Sequence, residues 1–502
     1  MKLYTAKDTK RLDYLTIKDQ KITDYKLMEK ASEFALETLV SEFKGVKKLL
    51  IFCSKGNNSG DGFLLADLSK KSGYEVTVIM ANSASEIKGT AKIAYQRAIK
   101  NKVKFLHNNS LSNESLPKET LLIDALIGTG LKGAPKKNIA KLIKRINYLG
   151  KKLPIMSLDI PSGINPDSGF GEGDYVIANT TCSFVAQKRG CFTSLGRSAC
   201  GELFFSSLGL TKKIQHKVTS DISTLNTENI LKKILKRDPN SHKGNHGRLI
   251  VIGGDFGMGG AAILAAKSAA LSGAGLVTLV TRPEHVSATL SHCPQVMAVG
   301  VDSGQDLEPY LHNKDVVVIG PGLGISAWSE QLLQRTIALS NKNNIPIVVD
   351  ADGIHLIAKK NFKIKNKNKL ILTPHPGEAS KLSGIRIEEL EKDRYLAIAK
   401  IQKYSGGTVV LKGPGTLICT PSKTGRKISV CLAGNAGMAT GGMGDVLSGL
   451  IGSFISQGLN IKEGTELAVD LHSQAADLAS LDFGQVGLTP DNVIESMREL
   501  IR

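Results

Sequence analysis

At 502 residues the chain is too long for a single hydrophobic core, so two or three domains are expected. Hydrophobic residues make up 41% of it and aromatics 5%, and no uncharged apolar run approaches the ~18 residues a membrane-spanning helix needs, so a soluble globular chain with aliphatic cores is expected. Lys and Arg outnumber Asp and Glu by 65 to 46, a net charge of +19, but the lysines are scattered (KKNIAKLIKR, LKKILKRD, KKNFKIKNKNK) and not interleaved with aromatics; this reads as a solvated basic surface that steers small polyphosphorylated ligands, with neither nucleic acid nor membrane as partner.

Seven cysteines occur without a C-x-x-C pair, and the opening MKLYTAKDTKRLDYL lacks the apolar core of a signal peptide, so a reduced, cytoplasmic setting is expected. Apolar runs then alternate with amphipathic helical stretches, which predicts α/β layering. KKLLIFCS, EVTVIM, TLLIDALIG, LPIMSLDI and TTCSFVA read as buried strands in the first half. The first ends in the loop KGNNSGDG, Lys55 to Gly62, which matches neither the dinucleotide fingerprint nor a P-loop. TLLIDALIGTGLKGAP places Asp124 inside a strand with a glycine turn, Gly128 to Gly133, after it; LPIMSLDIPSG places Asp159 at a strand end ahead of Ser162. Ligands of open α/β sheets bind at the carboxyl ends of strands, where all of these fall. Asn58, Asp124 and Ser162 offer one carboxylate and two neutral oxygen groups, a set that suits a monovalent hard cation such as K+ better than Mg2+ or Zn2+.

Polar, lysine-rich sequence from Thr211 to Lys243 separates the halves, and the boundary is placed near residue 218, giving domains 1–218 and 219–502. In the second half RLIVIGG, LVTLV, DVVVIGPG, IPIVVDAD, KLILTPH and TVVLKG read as strands. Their ends carry a glycine turn before a small-residue helix, then GPGLG, Asp350 and Asp352, His375 and Glu378, and Lys412 with Gly413 to Thr416. GNAGMATGGMGD, Gly434 to Asp445, runs directly into an apolar helix. Gly441, Gly442 and Gly444 there leave backbone N–H groups unpaired at a positive helix end, an anion hole with Asp445 at its rim. That helix end is expected to favour the ionised form of Asp445, making it a weak base.

GNNSGDG, DALIGTGLKG, LDIPSG and FVAQKRG resemble the motifs of the NAD(P)H-hydrate epimerase domain (the YjeF N-terminal domain) over roughly residues 10 to 210. The resemblance implies a Rossmann-like three-layer fold, with Asn57, Asn58, Ser59, Gly60 and Asp61 and the loop Gly128, Thr129, Gly130, Leu131, Lys132, Gly133 and Ala134 holding the ligand's phosphates. It also implies K+ on Asn58, Asp124 and Ser162, and Asp159 at the damaged nicotinamide ring. Ser54 and Ser59 stand where that family usually has glycine.

The second half resembles the ADP/ATP-dependent NAD(P)H-hydrate dehydratases, relatives of the ribokinase-like small-molecule kinases, on HKGNHGR, GPGLG, DAD, LTPHPGE, LKGPGT and NAGMATGGMGD. That implies a ribokinase-like three-layer α/β domain in which Ala261, Gly322 and His375 meet the hydrated dinucleotide. Lys412, Gly413, Pro414, Gly415, Thr416 and Gly444 would contact the ADP or ATP donor, with Mg2+, and Asp445 would stand at the reacting hydroxyl. Met443 replaces a common threonine. The implied substrates are NADHX and NADPHX, nicotinamide rings carrying a hydroxyl on C6, and the implied assembly is a homo-oligomer. Phosphorylating that hydroxyl turns a poor leaving group into phosphate; because such a site is stereospecific, an epimerase in the same chain is chemically coherent. A vitamin or sugar kinase is the alternative for the second half, and a scaffold that lost its chemistry is the alternative for the first.

Overall fold

The computed structural model describes all residues except 108–115, 361, 363 and 424. The chain divides into two compact units, Lys2–Ile222 and Ser223–Arg502, the second including Met1.

In the first unit β1 (Lys48–Cys53), β2 (Glu75–Met80), β3 (Lys104–His107), β4 (Thr120–Ala125), β5 (Ile155–Leu158), β6 (Thr180–Phe184) and β7 (Glu202–Ser206) form one parallel sheet in the order β3-β2-β1-β4-β5-β6-β7. The central strands read as unbroken apolar runs because both faces are covered. Leu49, Ile51 and Cys53 of β1 enter the core on one face, with Phe63, Leu64 and Ala94 from helices, whereas Leu50 and Phe52 enter the core on the other. That second face is closed by the helix Lys137–Leu149, whose Ile139, Leu142, Ile143 and Ile146 recur at helical spacing. The direction of winding reverses between β1 and β4, which opens a crevice at their carboxyl ends. The short outer strands β3 and β7 escape the sequence reading because most of their residues are only partly buried.

In the second unit β8 (Ile222–Thr224), β9 (Arg248–Ile252), β10 (Leu276–Thr281), β11 (Met297–Gly300), β12 (Val316–Ile319), β13 (Ile347–Val349), β14 (Leu370–Leu372), β15 (Thr408–Leu411), β16 (Leu417–Ser422) and β17 (Gly425–Val430) form a sheet ordered β11-β10-β9-β12-β13-β14-β15-β16-β17-β8. From β11 to β15 neighbours are parallel; β16 and β17 join antiparallel. The reversal falls between β9 and β12. Helix Met443–Ser456 is apolar nearly all round and lies in the core, against the small-residue helix Gly259–Leu271. Their approach is close: a Cβ at Gly449 would overlap the Ala265 carbonyl, and Ser268 Oγ donates to Val446 O at 3.0 Å. Among the described residues no helix is long and apolar enough to cross a membrane.

Candidate functional site

At the β1–β4 reversal, helix Asn57–Lys71 starts behind Gly56, which supplies no side-chain cap. The first intrahelical bond runs from Gly60 N–H to Gly56 O at 3.1 Å, so the N–H groups of Asn57, Asn58 and Ser59 have no acceptor within the helix and suit an anion. A cavity of about 720 Å³ lies over this helix end. It is lined by Asn57, Asn58, Asp61, Gly128 to Lys132, Ala134, Asp159 and Lys188.

Two residues of the expected phosphate loop face the interior, Ser59 by its side chain and Gly60 as a whole. Ser59 is fully buried; its Oγ accepts from Ser54 N–H at 2.6 Å and donates to Ala125 O at 2.8 Å, tying the loop after β1 to the end of β4. Gly60 lies under Met28, whose Cε would stand 2.6 Å from an added Cβ. Neither Ser54 nor Ser59 has a positive φ, so serine fits both places without strain. Gly133 is not among the cavity-lining residues.

Beneath the cavity the Asp124 carboxylate accepts from Ser157 Oγ at 2.9 Å, Ser162 N–H at 2.8 Å and Ser162 Oγ at 2.6 Å. Burial nevertheless pushes this carboxyl above its ordinary range, against those hydrogen bonds. Ile127 N–H donates to Ser162 Oγ at 2.9 Å, and the next residue, Gly128, stands against the Asn58 side chain. Among the described residues, both polar atoms of the buried Asn58 amide lack a partner, a deficit in hydrogen bonding that an ion or ligand satisfies.

Asp159 follows β5 with φ 68°, a left-handed conformation costing ~1–3 kcal/mol outside glycine. It is ion-paired with the buried Lys188, which also donates to Phe184 O at 2.7 Å. Asp13, which the sequence analysis passed over, has its carboxyl pushed up to about 7 by burial, with Lys188 opposing and Asp159 assisting. Burial, with Asp159 and Asp13, likewise raises Asp61 well above the usual carboxylate range.

In the second unit the candidate residues again follow strand ends. Asp350, after β13, is almost fully buried; it receives Lys412 Nζ at 2.9 Å and the Ser448 hydroxyl. Burial works to raise this carboxyl, but Lys412, Ser448 and Thr373 outweigh it and hold it below its ordinary value. Ala351, between Asp350 and Asp352, has φ 44°, a second strained residue at a strand end. Lys412 Nζ also lies 3.8 Å from Glu378 and 3.2 Å from where a Cβ on Gly444 would stand. Burial would lower this ammonium, yet Asp350, Glu378 and Asp445 raise it.

The glycine-rich segment opens helix Met443–Ser456 with Gly442 as its N-cap at φ 93°. Asp445 occupies the first turn, and its carboxyl is pushed up to about 7, the reverse of the sequence expectation. Burial and the neighbouring Asp350 cause this, with Lys412 opposing and Asp352 and Glu378 adding. A helix end contributes roughly 0.3–1 kcal/mol, less than one pKa unit, and is outweighed.

His375 caps the helix Pro376–Ser383: its Nδ1 accepts from Gly377 N–H at 3.0 Å, and Glu378 returns a bond to His375 N–H at 2.8 Å. Ala261 and Gly322 are neighbours, the Ala261 Cβ standing 3.1 Å from a Cβ built on Gly322. Gly413 and Pro414 are exposed beyond β15, with Gly415 buried and Thr416 Oγ1 donating to Gly413 O at 3.1 Å. Behind them lies Arg394, absent from the sequence analysis, fully buried and donating to Lys412 O at 3.1 Å. No motif announces Arg394; it opens the helix Arg394–Ser405, with one strand, β15, between that helix and Lys412.

Two family models match the chain. One, described as NAD(P)H-hydrate dehydratase, covers residues 249–499; the other, YjeF-related protein N-terminus, covers residues 24–190. The bifunctional NAD(P)H-hydrate repair enzyme of Coxiella burnetii is 40% identical over 99% of both chains, and that of Escherichia coli 36% identical over 96% of this chain and 90% of its own. A ribokinase-like superfamily protein from Enterococcus faecalis, solved by crystallography, is 32% identical with a TM-score of 0.51, covering 56% of this chain and 96% of its own. With both family models present in one chain and relatives aligned end to end, the chain belongs to the bifunctional NAD(P)H-hydrate repair enzymes.

Proposed function

We propose that the first unit interconverts the R and S epimers of NADHX and NADPHX, and that the second dehydrates the S epimer to the reduced coenzyme at the expense of ADP or ATP. The observation that carries the second activity is Lys412 Nζ, held between Asp350 and Glu378 directly over Gly444, at the start of the apolar helix. An ammonium beside unpaired helix N–H groups stabilises a phosphoryl group in transfer. Mg2+ bound with the donor would neutralise further charge, with Asp350, Glu378 and Asp445 around Lys412 the carboxylates that would face it.

Asp445 takes the proton of the C6 hydroxyl as its oxygen bonds the donor's terminal phosphorus and the bond from that phosphorus to the bridging oxygen breaks, releasing AMP from ADP or ADP from ATP. The C6–O bond then breaks with its electrons leaving on phosphate, pushed by the N1 lone pair, and C5 gives up a proton to restore the ring double bond. With a carboxyl near 7, Asp445 is a competent general base at neutral pH. Ala261 and Gly322 present a surface without bulky side chains to the dinucleotide, and Lys412 to Thr416 with Gly444 face the donor.

In the first unit the open N–H groups of Asn57 and Asn58 and the Gly128–Ala134 loop would take the substrate's phosphates, and Asp159 its hydrated ring. Asn58, Asp124 and Ser162 would hold K+, a reading supported by the Asn58 amide, unpartnered among the described residues and set against Gly128, whose chain neighbour Ile127 donates to Ser162 Oγ. Its charge would offset that of Asp124 and the phosphates.

The test is a mixed-epimer NADHX preparation with ADP or ATP, followed by recovery of the reduced coenzyme's near-ultraviolet absorbance and release of inorganic phosphate. Complete conversion is expected; a phosphorylated product that keeps its phosphate would overturn the dehydratase reading in favour of a kinase.

A further inference from the structure

The cavity of the first unit holds an ionisable group that epimerisation, as described so far, does not use. Asp13 stands on the helix Ala6–Gln20, ahead of residues 24–190 matched by the family model, yet it lines the same cavity as Asp61, Asp159 and Lys188. Among the described residues it forms neither a salt bridge nor a side-chain hydrogen bond, unlike Asp159, which Lys188 engages. We infer that Asp13 is a second catalytic acid–base group of the epimerisation, working opposite the Asp159–Lys188 pair on the hydrated ring. The inference rests on the epimerase reading of this cavity.

Inverting a carbinolamine carbon needs two proton transfers. A base removes the proton of the C6 hydroxyl; the C6–N1 bond breaks as the C6=O bond forms, and its electron pair passes to N1, where it delocalises into the C2=C3–carboxamide system. An acid protonates N1. Rotation about C5–C6 turns the other face of the aldehyde to N1, which attacks, returns its proton to the acid's conjugate base and leaves oxygen to regain its own. Nothing is oxidised or reduced and no co-reactant is consumed. One carboxylate and one carboxylic acid at the same ring suffice.

The surroundings of Asp13 fit the acid's part. The groups facing it are Lys10 on its own helix, Asp24 on the next, Asp61 at the start of helix Asn57–Lys71, Asp159 after β5 and Lys188 after β6. Burial raises this carboxyl first of all, against Lys188 and Lys10 and with Asp159 and Asp24 assisting, so it exchanges its proton near pH 7. Burial, then Asp159 and Asp13, also raise Asp61 well above the usual carboxylate range, with Lys188 opposing.

The experiment uses the full chain without nucleotide donor, so that dehydration is silent, and follows conversion of the isolated R epimer of NADHX by chromatography. Asp13→Asn is expected to lower kcat about 100-fold or more while KM stays within about threefold, and to erase the limb near pH 7 in the kcat profile. Asp13→Glu is expected to restore at least about a tenth of the rate with a displaced limb. Wild-type kcat in Asp13→Asn, or an unchanged limb, overturns the inference. If Asp13→Asn fails to fold, the Asp13→Glu profile decides: a displaced limb upholds the role and an unmoved one overturns it. A wild-type chain no faster than the uncatalysed exchange sinks the epimerase reading, and this inference with it.

Discussion

Asp350 and Lys412 meet at 2.9 Å, an almost fully buried carboxylate on an ammonium that also faces the start of helix Met443–Ser456. Removing the cation strands the anion. Lys412→Met is therefore expected to cost the second unit about 3 kcal/mol and to lower dehydration by about 100-fold or more. Urea unfolding and absorbance assays check this, and adding Asp350→Asn should return much of the stability but none of the activity.

Gly444→Ala separates activity from stability in the other direction. Gly444 has an ordinary helical φ, so alanine gains up to ~1 kcal/mol of helix propensity. Its methyl, however, would stand 3.2 Å from Lys412 Nζ and displace it. Dehydration is expected to fall roughly tenfold while the melting temperature holds or rises.

The Asp445 carboxyl near 7 sets two pH dependences with a shared origin. As a base it acts only when ionised, so the rate of dehydration should rise with pH through about 7 and then level off. For stability the sign is opposite. An unfolded aspartate titrates near ~3.9, so the folded state holds the extra proton between there and about 7, and stability from this group is lost as pH rises through that window. Asp445→Asn should abolish dehydration, spare epimerisation and stabilise the second unit more at pH 8 than at pH 5, by on the order of 3 kcal/mol. Asp159→Ala should do the reverse to the two activities; loss of both from either change would sink the assignment of two separate centres.

Ser59→Ala removes both hydrogen bonds that tie the loop after β1 to β4 and leaves the Ser54 N–H without its acceptor. A loss of about 1–3 kcal/mol from the first unit is expected in chemical denaturation, with slower epimerisation.

K+ binding at Asn58, Asp124 and Ser162 predicts a melting temperature for the first unit that rises with KCl more than with equimolar NaCl. Asn58→Leu should flatten that difference, because it deletes the amide whose two polar atoms lack a partner among the described residues.

Much of the architecture was legible in the sequence because the central strands of both sheets are buried on two faces and spell continuous apolar runs, as LLIFC and LIVI do. The outer strands β3, β7 and β11 were not, since their half-exposed residues lack that signature. Candidate residues on glycine-rich strand ends stand out in the sequence; Arg394 and Asp13 do not, because each sits on a helix and acquires meaning only from what folds against it. Asp445 shows a different gap. Its position at a helix start is local and was read correctly, but its proton affinity depends on Asp350, brought beside it from β13.

Gly449 and the stripe of small residues on helix Gly259–Leu271 allow two backbones to touch. One of these helices begins at the glycine-rich turn with Asp445, and the other carries Ala261. On the proposed reading, the separation of donor and acceptor would be fixed by main-chain contact and not by adjustable side chains. A methyl group inserted at Gly449, well behind the chemistry, would lengthen the path a phosphoryl group must cross.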